Sequence, residues 1–201
     1  MQIFDSAGDY YRFLELVGRA QRRMEVELFA YCLMPNHFHL VVRPNADGEL
    51  SKFIHWVCGK HAQGFHDAHD TVGQGCVYQG RFKAIPVSSD GHFLRLCRYV
   101  ERNPLRARLA GKAEQWEWSS LSQRLGLRRP VRLTSWPVPM PDGWVAVVNE
   151  EAPAVETEEI QAAVRRGSPY GGKEWREQMG TRLGMTGKIR PVGRPKKRGR
   201  A

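Results

Sequence analysis

Met34-Pro35-Asn36-His37-Phe38-His39-Leu40-Val41-Val42 is the stretch on which the reading of this chain turns. Side chains alternate along a strand, so His37 and His39 leave one face with Cα atoms roughly 6.5–7 Å apart, and Phe38, Leu40 and Val42 leave the other. One face can then be buried while the opposite one presents two ring nitrogens able to share a cation. The H-x-H spacing alone leaves two readings open, a metal site or two histidines on an exposed sheet face. Residues elsewhere must separate them.

Upstream, Ser6-Ala7-Gly8-Asp9 has the spacing of a capping box, and Tyr10, Phe13, Leu14 and Val17 repeat with helical period. The pattern predicts a first helix from Asp9 to about Arg22. Val26 to Met34 reads as a strand, Pro35-Asn36 as a tight turn and His37 to Arg43 as the antiparallel partner, so the histidines open the second arm of a hairpin. Leu50 to about His66 reads as a second helix, Val77 to Val87 as a further strand after a Gly-rich loop, and Gly91 to about Arg102 as a third helix.

On that third helix Phe93, Leu96, Cys97 and Val100 form the apolar face, which leaves Tyr99 on the flank. Asn103 follows four residues later and stands directly before Pro104, where the helix should break and a new one can start. Asn103 is therefore either a cap for that next helix or a side chain aimed by the break at something else.

The formal net charge is +10, and its distribution is uneven. Leu133 to Val164 holds no Lys or Arg and gathers Asp142, Glu150, Glu151, Glu156, Glu158 and Glu159, whereas Gly180 to Ala201 holds basic residues and no acidic one. Such a tail seeks a polyanion. Within it Gly193-Arg194-Pro195-Lys196 resembles the core of an AT-hook, an extended segment whose Arg enters a narrow minor groove. Cys32, Cys58, Cys76 and Cys97 are too dispersed for a disulfide framework or a zinc knuckle. No apolar run is long enough to span a bilayer, and Met1-Gln2-Ile3-Phe4-Asp5 lacks the features of a signal peptide, which predicts a cytoplasmic protein associated with the nucleoid.

A strand with His-x-His followed by a helix with Tyr and, four residues on, Asn resembles the HUH-type single-tyrosine transposases. The motifs Tyr31-Cys32-Leu33-Met34-Pro35-Asn36-His37-Phe38-His39, Tyr99-Val100-Glu101-Arg102-Asn103-Pro104-Leu105-Arg106-Ala107, Trp118-Ser119-Ser120 and the tail from Leu183 to Pro195 resemble the REP-associated tyrosine transposase branch of that family. The resemblance implies an α+β fold, a ferredoxin-like or RRM-like βαββαβ core with a four-stranded antiparallel sheet and a tyrosine-bearing helix against its open face. Members usually begin with a strand ahead of the first helix. That strand is missing from this sequence, and its absence should leave unpaired backbone beside the histidine strand. The implied organisation is a catalytic domain over residues 1–128, an acidic linker over 129–160 and a small helical basic DNA-binding extension over 161–201.

The same resemblance implies the chemistry. His37, His39 and an oxygen of Asn103 would hold Mg²⁺ or Mn²⁺, and Tyr99 would attack single-stranded DNA beside a hairpin to leave a 5′-phosphotyrosine and a free 3′-hydroxyl. Arg95, Arg102 and Arg106 near Tyr99, Arg81 and Lys83 on the preceding strand, and Lys188, Arg190, Arg194, Lys196, Lys197 and Arg198 in the tail are the expected DNA contacts. Arg98 reads as solvated helix face, and Trp116 and Trp118 as either base-stacking or packing residues. Whether the chain self-associates stays open. The rival from another class is a hairpin-DNA-binding protein without cleavage activity. A histidine-triad nucleotide hydrolase would need a third alternating histidine where Val41 stands, and an amidohydrolase barrel needs more chain.

Overall fold

The computed structural model describes residues 2–73, 75–88 and 90–189. They divide into two compact units, one of residues Met1–Phe82 with Leu94–Ala152, the other of Lys83–Phe93 with Pro153–Ala201.

The first unit is built on one hairpin between two helices. Helix α1 spans Ala7–Arg23, opened by the Ser6 and Asp9 capping box that the sequence spells out. Strand β1 spans Val26–Met34 and pairs antiparallel with β2, His37–Pro44, in a register that sets Met34 opposite His37 and Cys32 opposite His39, with a bulge between Leu28 and Ala30. Helix α2 covers Glu49–His69. Phe13, Leu14 and Val17 of α1 and Phe53, Ile54 and Val57 of α2 bury against Leu28, Tyr31 and Leu33, with Phe38, Leu40 and Val42 packed at the edge of the same cluster. The alternation of β2 thus lies as expected, apolar side chains on one face and His37 and His39 on the other.

The two-residue turn at Pro35-Asn36 is braced from outside. Both Ile3 N–H, at 2.8 Å, and Phe4 N–H, at 3.1 Å, donate to the Pro35 carbonyl. Phe4 is itself buried and stacks on Tyr10 at 4.8 Å. The aromatic core of α1 therefore fixes the point from which the histidine strand departs.

Two departures from the expected core have physical causes. First, the sheet has two strands, and Val77 to Val87 is not a strand: residues 79–84 are exposed and without regular structure. A strand needs a hydrogen-bonding neighbour. Among the described residues no strand precedes α1, and no backbone hydrogen bond reaches the side of β2 turned away from β1. Second, the segment read as an acidic linker contributes residues to the core. Val131, Trp144 and Val148 are buried within the first unit, and helix α6, Trp144–Asn149, lies there.

The C-terminal half of this unit covers the outer edge of β1. Thr134 N–H bonds the Leu28 carbonyl at 2.8 Å, Trp136 Nε1 the Phe29 carbonyl at 3.0 Å, Trp118 O the Leu33 N–H at 2.9 Å and Trp116 Nε1 the Leu33 carbonyl at 2.9 Å. Ser120, on the short helix α5, Ser120–Arg124, accepts from Tyr31 N–H through its hydroxyl oxygen at 3.0 Å. Side chains and loop backbone thus replace a partner strand, satisfying groups that would be costly to bury alone. Trp118 stacks on Tyr10 at 4.8 Å, so both tryptophans of the Trp-Glu-Trp-Ser-Ser stretch serve packing.

The second unit carries helices α7, Ala154–Arg166, α8, Lys173–Arg182, and α9, Thr186–Ile189. Val87 and Tyr170 form a parallel bridge, with Ser88 N–H donating to Tyr170 O and Tyr170 N–H to Pro86 O. Gly180 lets α9 close on α8, since a Cβ there would stand 1.9 Å from Ile189 Cδ1.

Candidate active site

Helix α3, Gly91–Glu101, and the one-turn helix α4, Asn103–Arg106, carry the remaining motif. The chain breaks between them as the Asn103-Pro104 pair predicts, with Pro104 inside the first turn of α4. Asn103 is buried, and its Nδ2 donates backwards to the carbonyls of Tyr99 at 3.0 Å and Val100 at 3.3 Å. It closes the carbonyl end of α3, groups that the helix itself leaves unpaired. That is a capping role at the end of α3, not at the start of α4, where no side chain caps.

His37 and His39 converge. Their Nε2 atoms stand 3.1 Å apart, with the rings nearly perpendicular. Two nitrogens each about 2.1 Å from one ion at a right angle stand about 3.0 Å apart, so the pair fits bidentate ligation. The Nδ1 of His37 lies 2.7 Å from Asn36 Oδ1. A proton on that Nδ1 leaves the Nε2 lone pair free, the usual outer contact of a ligating imidazole. Both rings are held neutral: His39 is pulled down to about 3 by burial, then by His37 and Arg106, and His37 is lowered by burial and by Arg106. Neutral imidazole is the ligating form.

Tyr99 stands beside them, its ring centroid 6.2 Å from that of His39 in an edge-to-face arrangement. The Arg106 guanidinium lies over the Tyr99 ring, 4.2 Å from its centroid. His37, His39, Tyr99 and Arg106 therefore form one cluster on the face of the hairpin opposite the core. Asn103 sits at the adjacent helix break, and no hydrogen bond joins it to either imidazole. Among the described residues no group of three or more His, Cys, Asp or Glu side chains gathers as a metal site, so two imidazoles are what the protein offers from those residue types.

The expected DNA contacts fare differently. Arg95 and Arg106 are exposed, on α3 and α4. Arg102 is committed to the protein, its Nη1 donating to the carbonyls of Val148 at 2.9 Å and Asn149 at 2.6 Å. Arg98 donates to Glu150 O at 2.9 Å rather than pointing into solvent. Together they cap the C-terminus of α6, where a cation is favoured. Arg81 and Lys83 are exposed in chain without regular structure, and Lys188 is exposed on α9. Arg190, Arg194, Lys196, Lys197 and Arg198 lie outside the described residues.

Two features had little signal in the sequence, and a third had one. Glu101 is wholly buried, accepting from Ser120 Oγ and from Trp144 Nε1 at 2.6 Å, with Arg124 Nε 3.5 Å away. Burial raises its carboxyl pKa and these three partners act against that rise. His61 is buried among Phe4, Phe13 and Tyr78, with its Nδ1 2.7 Å from the Tyr78 hydroxyl. Asn36 could have been singled out, since it lies next to His37 in the motif.

Among the described residues no helix is long and apolar enough to cross a membrane. No curated protein and no solved structure matches the chain significantly. The family model described as "Transposase IS200 like" matches residues 1–103, which include the hairpin, both histidines, Tyr99 and Asn103. The chain belongs to the IS200-like transposase family.

Proposed function

We propose that this transposase cleaves and rejoins single-stranded DNA beside hairpins through a 5′-phosphotyrosine on Tyr99, with His37 and His39 holding a divalent cation, Mg²⁺ or Mn²⁺. The observation that carries this reading is the pairing of two neutral Nε2 atoms 3.1 Å apart with a tyrosine ring 6.2 Å from one of them. Nitrogen ligands combined with oxygen from Asn103 and from DNA suit such an ion. When bound, it supplies Lewis-acid polarisation of the scissile phosphate.

The chain's own residues do the rest. Tyr99 loses its phenolic proton and its oxygen forms a bond to phosphorus. The bond from phosphorus to the 3′ oxygen breaks, and that oxygen leaves as a hydroxyl after taking up a proton. The ester energy is retained in the link to Tyr99, so an incoming 3′-hydroxyl reverses the step and joins strands without a further energy source. Asn36 holds His37 in the tautomer whose Nε2 faces His39. Arg95 and Arg106 are placed to meet phosphates near Tyr99.

The test is a denaturing gel of the protein incubated with hairpin-bearing single-stranded DNA and Mg²⁺ or Mn²⁺. A detergent-resistant adduct is expected for the parent protein and none for Tyr99→Phe. A second reading, hairpin binding without cleavage, is favoured by the outer edge of β2 beside the histidines, which no backbone hydrogen bond reaches among the described residues. Binding with no adduct under any metal condition would select it.

A further inference from the structure

Arg106 stands at the nucleophile in a way that a phosphate contact does not require. In one continuous helix it would follow Tyr99 by seven residues, about two turns or 10.5 Å along the axis. The long Arg106 side chain reaches back across the Asn103-Pro104 break to cover that distance. Asn103 ties its amide to the carbonyls of Tyr99 and Val100, α4 starts at once, and Arg106 N–H bonds Arg102 O at 3.2 Å. The guanidinium then lies over the Tyr99 ring at 4.2 Å, while the edge-to-face contact with His39 occupies another side at 6.2 Å. A planar cation on the ring face is favourable and has a geometry that an ammonium on a flexible stem does not reproduce.

We propose that Arg106 is a positioning residue: its guanidinium, reaching back across the Asn103-Pro104 break, clamps the Tyr99 ring against His39 so that the phenol oxygen is held beside the histidine pair. The deepened reading rests on the proposed role of Tyr99 as nucleophile. The clamp works through the ring plane, so charge alone does not replace it. Holding a reacting group in line lowers the barrier by removing freedom that the transition state cannot keep. A loosened tyrosine therefore lowers the rate of the bound complex rather than the binding of DNA.

The experiment compares the parent protein with Arg106→Lys and Arg106→Ala, full chain, in two measurements. The first is the single-turnover rate of adduct formation at saturating hairpin-bearing single-stranded DNA with Mn²⁺, alongside DNA affinity. The second is ¹⁹F NMR of protein labelled with 3-fluorotyrosine, the Tyr99 signal being assigned with Tyr99→Phe, without DNA or metal. Arg106→Lys is expected to keep affinity within about threefold, to lose about tenfold or more in rate, and to shift and narrow the Tyr99 signal. Arg106→Ala should show the same signal change with a further loss of affinity. An unmoved Tyr99 signal in both variants, or an unchanged rate in Arg106→Lys, overturns the proposal. If the parent protein forms no adduct, the cleavage reading fails by itself and the ¹⁹F comparison alone decides whether the clamp exists.

Discussion

Trp144 Nε1 donates to the Glu101 carboxylate at 2.6 Å, and Glu101 has no exposure to solvent. This contact ties the helix of Tyr99 to α6, while Ser120, whose hydroxyl donates to the same carboxylate, accepts from Tyr31 N–H of β1. Glu101 thus connects α3, α6 and the hairpin through one buried group. Glu101→Ala strands the Ser120 and Trp144 donors and leaves Arg124 without its carboxylate, for an expected loss of about 3–5 kcal/mol. Glu101→Gln keeps the volume and some hydrogen bonds and should cost less. Urea unfolding of both variants checks the order, and an alanine variant as stable as the parent contradicts it.

Arg102 separates a structural cation from a DNA contact. Because its guanidinium bonds the last carbonyls of α6, Arg102→Ala should destabilise the first unit by about 1–3 kcal/mol. A phosphate contact on single-stranded DNA adds about 0.7 to the slope of log affinity against log salt. That slope should not change in the folded variant. A slope shallower by about 0.7 with unchanged stability would return Arg102 to the DNA interface.

His61 gives the metal-free protein part of its acid limit. Its folded-state pKa, lowered by burial to about 4, lies below the ordinary value of 6.5, so between these values the unfolded chain binds a proton that the folded chain refuses. Its contribution is fully present above about pH 6.5 and is lost as pH falls toward 4, by up to about 3 kcal/mol. His39 adds a loss of the same sign. Stability of the parent minus that of His61→Phe should therefore fall across this window, and parallel pH curves would contradict it.

Gly18 marks where the covering segment touches α1. A Cβ there would stand 2.1 Å from the Pro130 carbonyl oxygen and 3.0 Å from its carbon, both backbone atoms. Alanine gains about 1 kcal/mol of helix propensity, but a contact this short forces the 130–131 chain away, and overpacking of this kind costs about 1–3 kcal/mol. Gly18→Ala should lower the thermal midpoint, and a raised midpoint would show that the segment moves freely.

The hairpin, the first three helices and the helix break were legible because each has a local signature. The Ser6 capping box, the period of Tyr10 to Val17, the alternation of Phe38, Leu40 and Val42 and the Asn103-Pro104 pair depend on neighbours in sequence. Strand alternation put His37 and His39 on one face and helical period put Tyr99 on the flank of α3, but the expectation that these two elements meet came from the resemblance of their motifs to a known family, not from periodicity. What escaped depends on distant partners. Val77 to Val87 has a strand-like composition but, among the described residues, pairs only through the isolated Val87 and Tyr170 bridge, and Arg98 looks like a solvated cation and Arg102 like a DNA contact until α6 presents its carbonyls. The outer edge of β1 is satisfied by Trp116, Ser120, Thr134 and Trp136, contacts some 80–110 residues away that no periodicity announces.

The most direct measurement is peptide mass spectrometry of the covalent adduct formed with hairpin-bearing single-stranded DNA and Mn²⁺, made on the parent protein and on His37→Ala with His39→Ala. The account predicts a DNA 5′-phosphate on Tyr99 in the parent protein and no adduct in the double variant, although both bind the DNA. An adduct on Tyr10, Tyr11, Tyr31, Tyr78 or Tyr170, or equal adduct yield from the double variant, would contradict it.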